Sequence, residues 1–135
     1  MRFKKLYAKY HTEVEFATIY IREAHPTDRW WLAETKIMGL VGRILNPYVS
    51  FNTKSPATMQ ERRQVAGACK QALLGDIPIY VDEMDDKIDL AYVGWPTRVY
   101  FVGLDGRIVY DSGMGPFGLN AEALDKNITA YLSKH

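Results

Sequence analysis

The chain has 135 residues, enough for one domain to bury a core of its own, and its 17 Lys plus Arg against 16 Asp plus Glu leave a formal charge of +1. That balance gives no support to a nucleic-acid groove or an anionic membrane as partner. The single cysteine, Cys69, excludes an internal disulfide, a C-x-x-C redox pair and a cysteine zinc knuckle, and no apolar run approaches the roughly 18 residues of a membrane span. The expectation is one soluble domain, residues 1–135, in a reducing cytoplasm.

From Arg2 to His11 the apolar residues Phe3, Leu6, Tyr7 and Tyr10 fall at i, i+3, i+4 and i+7 with lysines between them, which predicts an amphipathic helix. Phe16 to Ile21 is a short β-branched and aromatic run without polar alternation, the pattern of a strand covered on both faces. The chain then turns polar around Pro26, placing Glu23, His25 and Asp28 beyond the carboxyl end of the strand, where open α/β sheets bind ligands. Leu32 to Met59 has no steady period and reads as an insertion.

Thr58 and Glu61 have capping-box spacing and open a helix from Met59 to Leu74 that Gly75 ends, with Val65, Ala66, Cys69, Ala72 and Leu73 on its apolar face. Ile77 to Val81 again has the pattern of a doubly covered strand. Asp82, Glu83, Asp85 and Asp86 stop it; they lack the spacing of a calcium loop and are read as a solvated acidic strand end. Ile88 to Val93 is a short helix or turn. Gly94-Trp95-Pro96-Thr97 then introduces two β-runs, Val99 to Leu104 and Arg107 to Asp111, joined across Asp105-Gly106, a hairpin signal. After a loop with Gly113, Gly115, Pro116 and Gly118, Asn120 caps a last helix from Ala121 to Leu132. Helix, strand, insertion, helix, strand, hairpin and helix is the order of an α/β fold, and specifically of the later part of a thioredoxin-like α/β/α sandwich.

The segment Tyr20-Ile21-Arg22-Glu23-Ala24-His25-Pro26-Thr27-Asp28-Arg29-Trp30 resembles Y-I-E-E-A-H-P-S-D-G-W of the iodothyronine deiodinases. Val81 to Asp85, Ala91 to Tyr100, and Asp105 to Tyr110 with the Gly113-Met114-Gly115-Pro116 loop resemble further segments of that family in the same order. The resemblance implies a thioredoxin fold of peroxiredoxin type with a cis peptide before Pro96. It also implies reductive removal of iodine from a small aromatic substrate by a selenocysteine or cysteine that external thiols regenerate, with no bound cofactor or metal. In the family that nucleophile follows a first strand, which here would precede Met1, so this chain alone is expected to be inactive. With that strand gone, Phe16–Ile21 and Val99–Leu104 are expected to close on each other or to be bridged by a second chain, as in a homodimer.

Under the same resemblance His25 is a proton donor or ligand near the leaving group and Arg98 clamps a substrate carboxylate beside Pro96 and Trp30, while Glu23 stands where a hydrogen bond across the turn would orient His25. The alternatives are a loop histidine, a solvated glutamate and an exposed strand arginine. The family's second clamp residue, a histidine, has no counterpart between Phe51 and Pro56. Trp30, Trp31, Trp95 and Phe117 line an aromatic pocket or simply pack. Cys69, inside the apolar face of a helix, is read as packing. Two other readings stay open: a non-catalytic thioredoxin-type binding module for an aromatic acid or a peptide, and a thiol peroxidase of peroxiredoxin type acting on a peroxide.

Overall fold

The computed structural model describes residues 2–23, 55–115 and 119–135. They divide into two units, one formed by Met1–Phe16 with Ile88–His135 and the other by Ala17–Lys87. Helices and short strands alternate in both, so the chain is a mixed α/β protein. The expected insertion, as far as residue 54, lies outside the described residues.

The first unit is built on helix α1, Arg2–Tyr10, which packs on the last helix of the chain. Its predicted apolar face becomes core: Leu6 and Tyr10 are buried with Phe101, Ala121, Leu124 and Ile128, and Phe3, Val14, Phe16, Val99 and Tyr131 close around them. One polar knot ties the two helices. The Tyr10 hydroxyl donates to Asp125 at 2.5 Å and lies 2.7 Å from Thr129 Oγ1, while Lys9 Nζ sits 2.8 Å from the same carboxylate. These donors hold the Asp125 carboxyl below the usual carboxylate range.

In the second unit strand β1, Thr18–Tyr20, pairs in parallel with β2, Ile79–Val81, in the register Thr18↔Ile79 to Tyr20↔Val81. Parallel strands need a crossover, and helix α2, Met59–Cys69, lies between them in sequence and packs on β2. Thr58 caps it as expected: its hydroxyl accepts from Glu61 N at 3.2 Å, and the Glu61 carboxylate reaches back to Ala57 N at 2.7 Å. The predicted helix to Leu74 changes its hydrogen bonding midway, because Lys70–Leu74 is a π-turn closed by Gly75 at φ 64°. Among the described residues the cover expected on both strand faces is found on one face only. Ile19 (39 % exposed) and Tyr80 (58 %) form a cross-strand pair that points outward, since successive side chains alternate and only the other face packs on α2.

The acidic strand end is exposed at Glu83 and Asp85, as expected of a solvated cluster, but not at Asp82 and Asp86. Asp82 is buried, its Oδ1 accepting from Glu83 N at 2.9 Å, and Arg62 of α2 is buried beside it at 4 % exposure. Arg62 Nη1 donates to the carbonyls of Asp82 (3.3 Å) and Glu83 (2.5 Å) and lies 2.9 Å from Asp86 Oδ1. That last contact is a Coulomb pairing rather than an aligned bond, for Asp86 Oδ1 has no hydrogen-bond partner.

Helix α3, Lys87–Tyr92, takes the place of the predicted helix or turn, and β3, Tyr100–Val102, pairs antiparallel with β4, Ile108–Asp111. Asp105-Gly106 makes the turn with Gly106 at φ 77°, and a bulge sits between Phe101 and Val102. Helix α4, Ala121–Leu132, starts at Asn120, whose side chain accepts from Glu122 N and Ala123 N. Tyr131 packs edge-on against Phe101 at 5.3 Å, and its hydroxyl accepts from Leu104 N at 2.8 Å. A side chain on Gly103 would meet that hydroxyl at 2.9 Å. Among the described residues the strands form two sheets of two, β1–β2 and β3–β4.

Candidate functional site

Two places hold the described residues that the sequence singled out, one in each unit. At the carboxyl end of β1, Glu23 is half-buried, and the loss of water around it raises its carboxyl above the usual range, toward the protonated form. Three residues earlier, on β1 itself, the Tyr20 hydroxyl is buried without a hydrogen-bond partner. In the sequence Tyr20 stands as a strand residue and as the start of the deiodinase-like segment, with no role of its own. Its tell is a phenol in a run that has the pattern of a covered strand, since a buried hydroxyl needs a partner or a role.

Cys69 belongs to the same unit, at the junction of α2 with the π-turn. Burial pushes its thiol up, and the negative charge of Glu23 pushes it further. A thiol held protonated is a weak nucleophile, so the environment of Cys69 is that of a packing residue. His25 and Trp30, and with them Trp31 and Phe117, lie outside the described residues.

The other place is the turn between α3 and β3. The Trp95–Pro96 peptide is cis, as the resemblance implied. The buried Asp89 fixes the approach to it: its carbonyl accepts from Gly94 N at 3.0 Å and its Oδ1 from Trp95 N at 2.8 Å. Val93, just before, has φ 50°, a left-handed conformation that β-branched residues avoid. Two residues beyond Pro96, Arg98 turns its fork onto Asp111 of β4. Nε donates to Oδ1 at 2.8 Å and Nη2 to Oδ2 at 2.6 Å, while Nη1 is 3.5 Å from the Val93 carbonyl. The guanidinium lies over the Tyr100 ring at 5.4 Å, and Tyr100 Oη donates to the Tyr92 carbonyl at 2.6 Å. Asp111 also accepts from Gly113 N at 2.8 Å, and Arg98 with this N–H holds its carboxyl below the usual range. Arg98 is thus neither the freely exposed strand arginine nor an open fork, because the edge that pairs best with a carboxylate already holds one.

No helix among the described residues is long and apolar enough to cross a membrane. Chemically, the β1 end offers a carboxyl that binds its proton more tightly than a solvated one, and the Pro96 turn offers a cation, aromatic rings and fixed backbone.

Residues 1–132 match the family described as iodothyronine deiodinase. The chain is 28 % identical over 132 residues to thyroxine 5-deiodinase of Sparus aurata, covering 96 % of this chain and 42 % of the relative. It is 30 % identical over 122 residues to thyroxine 5-deiodinase of Rattus norvegicus, covering 90 % and 35 %, and 24 % identical over 132 residues to that of Gallus gallus, covering 98 % and 45 %. It therefore spans less than half the length of these relatives. With the match running through the Glu23–His25 segment, the Pro96 turn and the hairpin, the chain belongs to the iodothyronine deiodinase family.

Proposed function

We propose that residues 1–135 form the substrate side of a thiol- or selenol-dependent reductive dehalogenation, on a single thioredoxin-like α/β/α domain. The attacking sulfur or selenium comes from outside these 135 residues. It takes the iodine from the aromatic carbon and the carbon takes a proton; an external thiol then displaces iodide from the sulfur or selenium, leaving a mixed disulfide or selenenyl sulfide that a second thiol reduces. His25 delivers that proton, Glu23 orients His25, and Pro96, Arg98 and Trp30 border the substrate.

The observation that carries this reading is Glu23, a half-buried carboxyl at the end of β1 with its pKa raised by desolvation, two residues before His25 in a chain of this family. The fact that the one sulfur nucleophile of the chain is a Cys69 thiol held protonated supports binding without turnover by this polypeptide alone.

The test is iodide release from 2,6-diiodophenol with dithiothreitol. Residues 1–135 release none. A form extended at the amino end with a cysteine- or selenocysteine-bearing strand does, and loses at least about a hundredfold with His25→Ala, the typical worth of a positioned acid. Release by residues 1–135 that Cys69→Ser abolishes overturns the proposal. Peroxide consumption by the extended form, without iodide release, favours the peroxidase reading instead.

A further inference from the structure

A guanidinium offers five N–H donors in a rigid fork, and its strongest partner is a carboxylate held side-on. At Arg98 that edge is taken from within the chain: Nε and Nη2 are 2.8 and 2.6 Å from the two oxygens of Asp111. The pair is braced. Gly113 N fixes Asp111, and the Val93 carbonyl and the Tyr100 ring border the guanidinium. An incoming carboxylate on the remaining Nη edge meets a cation whose charge is already matched, with the Asp111 carboxylate close by. Its attraction to Arg98 and its repulsion from Asp111 largely cancel. A neutral aromatic ring loses nothing by this.

We propose that Asp111 sets the ligand preference of this site by neutralising Arg98, so that it takes a halogenated phenol or other aromatic lacking a carboxylate in preference to one that carries it. The inference rests on the reading of this turn as the border of a halogenated-aromatic site, and it deepens that reading by ranking aromatics without a carboxylate above those that carry one.

The test compares two probes that differ only in charge, 3-(4-hydroxy-3,5-diiodophenyl)propionic acid and its methyl ester, by calorimetric titration into residues 1–135. The wild-type chain binds the ester at least as tightly as the acid. Asp111→Asn shifts the ratio about tenfold toward the acid, the worth of one charge-assisted bond, and adding Arg98→Gln to it removes the shift. A wild type that prefers the acid, or an Asp111→Asn chain with an unchanged ratio, overturns the proposal. A second measurement is independent of the aromatic ligand: acetate alone, followed at the Arg98 Nε–H resonance in wild type and in Asp111→Asn, with Asp111→Ser replacing it should the amide not fold. A saturable shift in the variant and none in the wild type supports neutralisation, and equal responses overturn it. If neither iodinated probe binds any form, the dehalogenation reading falls while the acetate titration still decides the role of Asp111.

Discussion

Replacing Arg62 by Met tests whether a buried cation holds the acidic strand end in place. Its side chain is 4 % exposed, and Nη1 serves the carbonyls of Asp82 and Glu83 and faces Asp86, itself 22 % exposed on its side chain. Two bonds from a charged donor are worth about 3 to 6 kcal/mol together when their acceptors are left buried. Part of that is offset, because Arg62 Nε is already buried without a partner and its removal relieves a cost. About 3 kcal/mol remains, the low end of what breaking a buried ion pair costs. For a chain of this length that lowers the melting temperature by about 10 °C. Circular dichroism melts of wild type, Arg62→Met, Asp86→Ala and the double variant measure it. Because Asp86 is the less aligned partner, the cycle gives a coupling below about 1 kcal/mol, with most of the loss in Arg62→Met. An Arg62→Met chain as stable as wild type refutes the reasoning, since the desolvation of the guanidinium would then match all that its bonds return.

Asn120→Ala removes the acceptor of two amide protons at the start of α4 and lowers stability by about 1 kcal/mol in urea titrations. A change within a few tenths would mean that water caps the helix equally well. Asp125, held low by Lys9 and Tyr10, adds stability that is complete above its unfolded value of about 3.9 and is lost as pH falls through its folded value. Asp125→Asn is therefore less stable than wild type at pH 7, and the two converge in acid; a gap independent of pH contradicts this. Glu23 has the opposite sign. Its folded pKa is raised, so its contribution is full below about 4.3 and fades as pH climbs through the folded value. Glu23→Gln removes that decline, and parallel pH profiles for the two chains would show that Glu23 is not desolvated.

What the sequence made legible was what neighbours in the chain decide. Thr58 and Asn120 cap because an oxygen three residues from an orphan amide reaches it whatever else the fold does. The helix from Ala121 to Leu132 and the Asp105-Gly106 turn follow for the same reason. Features set by distant partners were hidden. Arg62 stands in a charged Glu-Arg-Arg run that looks like a solvated helix face, and only the approach of the Asp82–Asp86 segment buries it. Ile19 and Tyr80 have the composition of covered positions, yet the pairing of β1 with β2 turns them to one open face. At the candidate site, Glu23 was found by its place beyond the strand end and Arg98 by resemblance, whereas the partner that occupies Arg98 lies across the hairpin at Asp111, a pairing that no local pattern encodes.

The fit of Tyr131 over Gly103 couples α4 to the alignment of the hairpin. Sliding β3 by a single residue would bring Val102 or Leu104 to a spot where a first side-chain carbon already meets the Tyr131 hydroxyl at 2.9 Å, and would turn Phe101 away from the core. The last helix therefore favours one alignment of two strands that precede it in the chain, and the native register draws part of its advantage from a contact outside the hairpin.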